Sequence, residues 1–319
     1  MTTPTKTGRN GAAAGGSHPL RQSRVRIGEK SIETILVVAA LISIAVTIGI
    51  VVALVGPTAD FFTKVSFVEF LTGTSWTPLF AQKEYGVLPL VVATIEVTTI
   101  AMLIAIPLGL GSAIYLSEYA HSSVRKTLKP ILELLAGVPT VVYGFIALQM
   151  INPILRDYWP GDRKPDFQNA LVAGIAMGIM IVPTVASLAE DAMSAVPNSL
   201  RQGAYALGSS KMQVSVRVVL PAALSGIVAA IVLGISRAIG ETMIVTIAMG
   251  LISDQVRYNP IEAMMNMTTY IAAAGSGDVP VGTIDYDTIF AVGALLFIVT
   301  FALNALSIRL VRRFREVYE

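Results

Sequence analysis

The chain has 319 residues, of which 54% are hydrophobic and only 14% charged, with a mean hydropathy of +0.69. A soluble domain is about 45–50% apolar and about 25% charged, so a water-soluble enzyme is excluded by the apolar surface it would have to hide. A formal charge of +2 and the absence of cysteine exclude a large basic field for nucleic acid, disulfide frameworks, thiolate metal sites and cysteine nucleophiles.

Residues 1–30 are rich in Gly, Ala, Ser and Thr with scattered Arg and Lys, which predicts a disordered cytoplasmic tail. The apolar run Ile32 to Val55 exceeds a signal-peptide core of roughly 7–15 residues and reaches the ~20 needed to cross a bilayer. It predicts a retained first helix over 31–56. Further spanning runs lie at Gly86–Leu116, Pro130–Ile151, Asn169–Leu188, Val218–Gly250 and Thr288–Ile308, within a core of 86–311, followed by a cytoplasmic C-terminal tail at 312–319. The expected fold is all-α, a polytopic membrane protein with six transmembrane helices. Pro107, Gly109 and Gly111 predict a kink in the second helix, and Gly234 and Gly240 one in the fifth.

Basic residues stay on the cytoplasmic side. With the N-terminus inside, the inner segments hold sixteen Lys and Arg and the outer loops six. The last outer loop sets Asp254, Glu262, Asp278, Asp285 and Asp287 against Arg257 alone. Both termini are therefore expected to be cytoplasmic.

Ionisable residues inside apolar runs are costly, about 2.5–3.5 kcal/mol each at mid-membrane, and so mark function or pairing. There are four: Glu96, Glu133, Arg237 and Glu241. Arg237 and Glu241 stand four apart, which on one helix puts them on one face and within reach of each other. Residue types alone leave two readings open, a pathway-facing pair that meets an anion through the guanidinium and a structural ion pair. Glu133 reads as structural, near the cytoplasmic end of the third helix. His18 and His121 read as solvated residues, and no G-x-x-x-x-G-K-[ST] phosphate loop is present. No metal and no cofactor is expected, and any ATP must be bound by another chain.

The polar stretch 190–219 between helices four and five has helical spacing, which predicts two short helices joined at Gly208 as a compact knob that projects from the membrane and can dock in a cleft of a partner. It reads Gln202-Gly203-Ala204-Tyr205-Ala206-Leu207-Gly208, then nine residues, then Val218-Val219-Leu220-Pro221. This resembles the cytoplasmic EAA coupling loop of ABC importer permeases, with Gln202 where the family has glutamate and Gly203 where it has alanine. Three further stretches narrow the resemblance: Ile106-Pro107-Leu108-Gly109 through Leu116-Ser117-Glu118-Tyr119, Glu133-Leu134-Leu135-Ala136-Gly137-Val138-Pro139-Thr140 through Gly144, and Ser236-Arg237-Ala238-Ile239-Gly240-Glu241-Thr242. Together they look like the phosphate-specific ABC permeases of the PstC type, over residues 30 to 315.

The resemblance implies a MetI-like core made of the last five helices, with the first against its side. It implies two ATP-binding cassette ATPase subunits, a second homologous permease, an extracytoplasmic phosphate-binding protein, the lipid of a prokaryotic plasma membrane, and no nucleic acid. It assigns Arg237 and Glu241, with Ser236 and Thr242 beside them, to the substrate pathway, and Gln202, Gly203, Ala204, Gly208, Leu220 and Pro221 to ATPase coupling. Gly137, Pro139 and Gly144 read as residues for helix packing or a local break. The expected function is ATP-driven phosphate import by alternating access, with no bond-breaking by this chain. A permease for sulfate or phosphonate, a proton-coupled secondary transporter using Glu96 or Glu241, and a phosphate-status sensor are the other readings.

Overall fold

In lipid each backbone N–H and C=O must be satisfied within its own segment, so long apolar runs resolve into helices. The computed structural model describes residues 27–313; most of the two expected tails lies outside the described residues. The helices are α1 (Ile27–Lys64), α2 (Phe67–Thr72), α3 (Leu88–Ile114), α4 (Ser122–Ala136), α5 (Thr140–Ile146), α6 (Asn152–Asp157) and α7 (Ala170–Ser194). They continue with α8 (Asn198–Ala206), α9 (Lys211–Val214), α10 (Leu220–Ala222), α11 (Leu224–Ile239), α12 (Met243–Ala248), α13 (Met267–Ser276) and α14 (Ile284–Arg313). Short π-helical turns close α3 at Tyr115–Tyr119, join α5 to α6 at Ala147–Ile151 and join α9 to α10 at Ser215–Val219.

Four helices, α1, α3, α7 and α14, are long and apolar enough to cross a membrane unaided. Two bent pairs bring the number to six if each is one span: α4 with α5–α6, bent by 87°, and Lys211–Ala222 with α11, bent by 71°. Counted in that way the described residues match the six expected spans, two of which are not straight rods. The third breaks where Gly137 caps α4 and Pro139, extended at ψ 133°, starts α5; proline has no amide to continue the ladder. The fifth bends at Ala223 and stops at Gly240, so Val218–Gly250 is three helical pieces, not one. Helix α11 continues through Gly234, where a Cβ would sit 3.2 Å from Val185 and 3.3 Å from Ile181, so it is a packing position. α3 runs unbroken as helix through Pro107.

Contacts divide the chain after Val52. In the described part of the first unit, the apolar side chains of α1 from Ile32 to Ile50 are exposed throughout, as a lipid-facing helix requires. In the second unit, the core forms where α3 lies along α7. A Cβ on Gly174 would fall 2.6 Å from the Ile100 side chain, and one on Gly178 2.9 Å from the Ala101 carbonyl oxygen. Without side chains there, the two backbones approach closely, the usual device for helix packing in lipid. A second cluster gathers Phe61, Phe70, Trp76, Tyr85 and Tyr270 in edge-to-face contacts around the fully buried Trp76.

The third cluster, with Met193, Val196, Val214 and Val219, roots a knob made of α8 and α9 at one end of α7. Gly208 turns the chain between them at φ +82°, a conformation that side chains with a Cβ rarely adopt. Ser210 caps α9 through a reciprocal capping box with Gln213.

Candidate functional site

Arg237 lies in the last turn of α11 and is partly buried against α7. Its Nη1 donates to Thr184 Oγ1 at 3.3 Å and its Nη2 approaches Met180 Sδ at 3.8 Å. Among the described residues it has no acidic partner. A guanidinium carries five donors, and the neutral oxygen and sulfur here engage two of them.

Glu241 does not pair with Arg237, contrary to the sequence expectation. The helix ends at Ile239 and Gly240 carries the cap, so the four-residue spacing no longer places the two residues on one face. The Glu241 carboxylate instead accepts from the Met243 and Ile244 amides at 3.1 and 3.3 Å, at the start of α12. Its carbonyl accepts from Thr268 Oγ1 at 2.7 Å, and the residue is 9% exposed. Thr242 sits in the same turn, its hydroxyl donating to the Gly240 carbonyl at 3.4 Å. Ser236 points elsewhere, donating to Asn304 on α14 at 3.0 Å. The expected quartet thus divides: from α11 Arg237 reaches α7 and Ser236 reaches α14, while Glu241 and Thr242 sit in the turn between α11 and α12.

Glu96 lies on α3 beside a cavity of about 520 Å³ that Tyr258 and Pro260 also line, and its Oε1 is buried without a hydrogen-bond partner. Glu133 is exposed on α4. Gly144 packs against Ile247, 3.0 Å from where a Cβ would be, and Gly137 forms the break already described.

In the knob, Gln202, Gly203 and Gly208 are exposed, Ala204 is partly buried, and Leu220 and Pro221 open α10. Leu207 and Met212 present apolar side chains outward, 88% and 69% exposed. Exposed apolar groups on a rigid projection suit a protein partner.

Sequence reasoning missed Glu190, whose side chain is 1% exposed at the end of α7. Arg125 and Lys129 from α4 bridge to it, Lys129 at 2.8 Å, and Ser194 Oγ donates to its Oε1 at 2.7 Å. Lys129 also bridges to Asp191. The signal was available: Arg125 and Lys129, four apart, share one face of α4 and match an adjacent Glu-Asp pair.

Residues 105–316 match the family model described as "Binding-protein-dependent transport system inner membrane component". The chain belongs to this family. The permease is 35% identical over 300 residues to the probable ABC transporter permease protein YqgH of Bacillus subtilis (strain 168), covering 93% of this chain and 94% of that protein. It is also 35% identical over 257 residues to the phosphate transport system permease protein PstC of Xylella fastidiosa (strain Temecula1), covering 75% of this chain and 77% of that one. Among solved structures, the permease fold superposes on a chain of the bacterial alginate ABC transporter in complex with a pentasaccharide-bound periplasmic protein. The TM-score is 0.60 at 16% identity, covering 92% of this chain and 100% of that chain. A chain of the MetNI methionine ABC transporter in inward-facing form gives 0.54 at 17% identity, covering 72% and 97%. These likenesses establish the fold, an all-α ABC importer permease.

Proposed function

We propose that this permease is the PstC-type subunit of an ATP-driven importer and passes inorganic phosphate across a prokaryotic plasma membrane by alternating access. The observation that carries the reading is Arg237, a fixed positive charge in a spanning segment whose partners in the structure are a hydroxyl and a thioether. Such a charge is costly in lipid unless it lines an aqueous path or meets an anion. Its unengaged donors suit the oxygens of an oxyanion. One arginine does not separate phosphate from sulfate; the PstC relatives support phosphate, and an extracytoplasmic binding protein would make the selection. In this reading Glu241 holds the turn after Arg237, with Thr242 beside it.

The α8–α9 knob faces the cytoplasm in this reading, and the basic residues on and around it (Arg125, Lys126, Lys129, Arg201, Lys211 and Arg217) agree with the charge rule. One of two ATPase subunits would receive the knob through Tyr205, Leu207 and Met212, with Gln202, Gly203, Ala204 and Gly208 shaping it and Leu220 and Pro221 at its return. A second permease subunit would complete the path. ATP binding closes the ATPase pair, the knob moves as a rigid piece, and the path changes the side to which it opens.

Uptake of radiolabelled phosphate, with sulfate as competitor, into vesicles carrying this chain alone and with its genomic neighbours tests the reading. Uptake that requires the ATPase and ATP and is indifferent to sulfate is expected. Proton-driven uptake by this chain alone overturns it.

A further inference from the structure

The Leu116-Ser117-Glu118-Tyr119 stretch, singled out in the sequence, has no part in the seat of Arg237. In the structure it belongs to the π-turn that closes α3, and π-turns rotate side chains off the α-helical register, often at functional positions. Both helices of the knob reach this one turn. From α8, Arg201 Nη2 donates to Glu118 Oε1 at 3.0 Å, with side chains only 15% and 5% exposed. The same guanidinium donates to the carbonyls of Met193 at 2.8 Å and Val196 at 2.5 Å, fastening the pair to the end of α7. Ser117 Oγ donates to the same Glu118 oxygen at 2.9 Å. From α9, the Lys211 ammonium lies 5.0 Å from the centre of the Tyr119 ring, within cation–π range.

α3 is unbroken from Leu88 to the turn, and Gly174 and Gly178 hold it against α7. α7 carries Thr184, the acceptor of Arg237. A displacement of the knob therefore meets a continuous packed path to the proposed anion seat, and among the described residues the ion pair that joins the knob to the turn closing α3 is Glu118 with Arg201. An exposed ion pair carries little energy; this one is largely shielded, so removing one partner leaves the other charge uncompensated.

We propose that Glu118 and Arg201 are positioning residues for energy coupling, transmitting movement of the knob into the α3–α7 unit and so to Arg237. This rests on the reading of the knob as the ATPase-docking element. With side chains only 15% and 5% exposed the pair offers little surface to an ATPase, so its loss is expected to separate ATP hydrolysis from transport rather than abolish assembly.

The test uses the reconstituted assembly of this chain with its second permease, ATPase and binding protein, and reads phosphate imported per ATP hydrolysed. Glu118→Gln keeps the side-chain shape and the Arg201 bonds to Met193 and Val196. It is expected to lower the ratio by roughly 2- to 30-fold, the range for residues on a coupling network, with unchanged ATPase copurification. Because the chain has no cysteine, Glu118→Cys with Arg201→Cys can be bridged within it by a short bis-methanethiosulfonate reagent, each cysteine thiolate forming a disulfide as one methanesulfinate leaves, and bridging is expected to restore the ratio lost by the unbridged double variant. A wild-type ratio in Glu118→Gln overturns the proposal. So does a fall in thermal stability and assembly yield with a wild-type ratio in the assembled fraction, which would make the pair merely structural. A bridge that restores nothing overturns it as well. If the unsubstituted chain recruits no ATPase, the docking reading itself has failed, and this proposal with it.

Discussion

Arg237 donates to Thr184 across the α11–α7 contact at 3.3 Å, while Glu241, four residues on, closes on the backbone of α12. The cation is thereby held by a neutral hydroxyl from the helix most tightly packed against α3.

Arg237→Ala is expected to lower phosphate uptake by at least about 10- to 100-fold, the loss of charge-assisted hydrogen bonds worth ~1.5–3 kcal/mol, while the ATPase still copurifies. Arg237→Lys recovers only part, because an ammonium lacks the planar fork. Normal uptake by the alanine variant sinks the assignment of the anion seat.

Glu241 acts on the fold as an acceptor for two amides. Glu241→Gln keeps an oxygen for them and is expected to melt within about 0.5 kcal/mol of the parent, whereas Glu241→Ala loses ~1 kcal/mol, the scale of a helix cap. Equal stability of the two variants would show that the cap carries nothing.

The two glycines of the knob should behave oppositely. Gly203 has nothing within 4 Å of a built Cβ and lies inside α8, so Gly203→Ala stabilises by up to ~1 kcal/mol through helix propensity. Gly208, at φ +82°, is strained by any larger residue at ~1–2 kcal/mol; Gly208→Val is expected to loosen ATPase copurification. Thermal melts and pull-downs of the two variants decide.

Gly178→Leu forces side-chain atoms into the Ala101 carbonyl and Ile104 on α3. It is expected to destabilise by ~1–3 kcal/mol or more, as overpacking does, read as a lower melting temperature in detergent. A melt like that of the parent would mean that the α3–α7 approach is looser than described.

Outside the spanning segments, Lys83 bonds both oxygens of Asp285 at 2.8 and 2.7 Å, and this hydrogen bonding holds its ammonium above the ordinary lysine value of 10.5. A group whose folded pKa is raised contributes below its unfolded pKa and loses that contribution as pH rises through the folded one. The difference in melting temperature between Lys83→Ala and the parent is therefore expected to stay constant from pH 6 to about pH 9 and to shrink only above about pH 10.5. A difference that fades near neutrality contradicts the assignment.

The sequence by itself determined the all-α class, the six apolar runs and the exposed knob turned at Gly208, because each follows from local chemistry. Apolar length sets the number of spans, and a glycine between two helical pieces permits a left-handed turn. The order of short motifs was enough to show the resemblance that residues 105–316 bear out. Gly240 and the Gly137–Pro139 step were legible as a kink and as packing or a local break, but the bend at Ala223 was not, because hydropathy averages over breaks that keep the chain apolar. Only the tertiary structure decided the partners of the charges. Spacing of four implies a shared face only while the helix continues, and Gly240 ends it before Glu241. The links from Arg237 to Thr184, from Lys129 and Arg125 to Glu190, and from Arg201 to Glu118 join residues 53 or more positions apart. Such contacts are fixed by how the helices pack, and no local pattern encodes them.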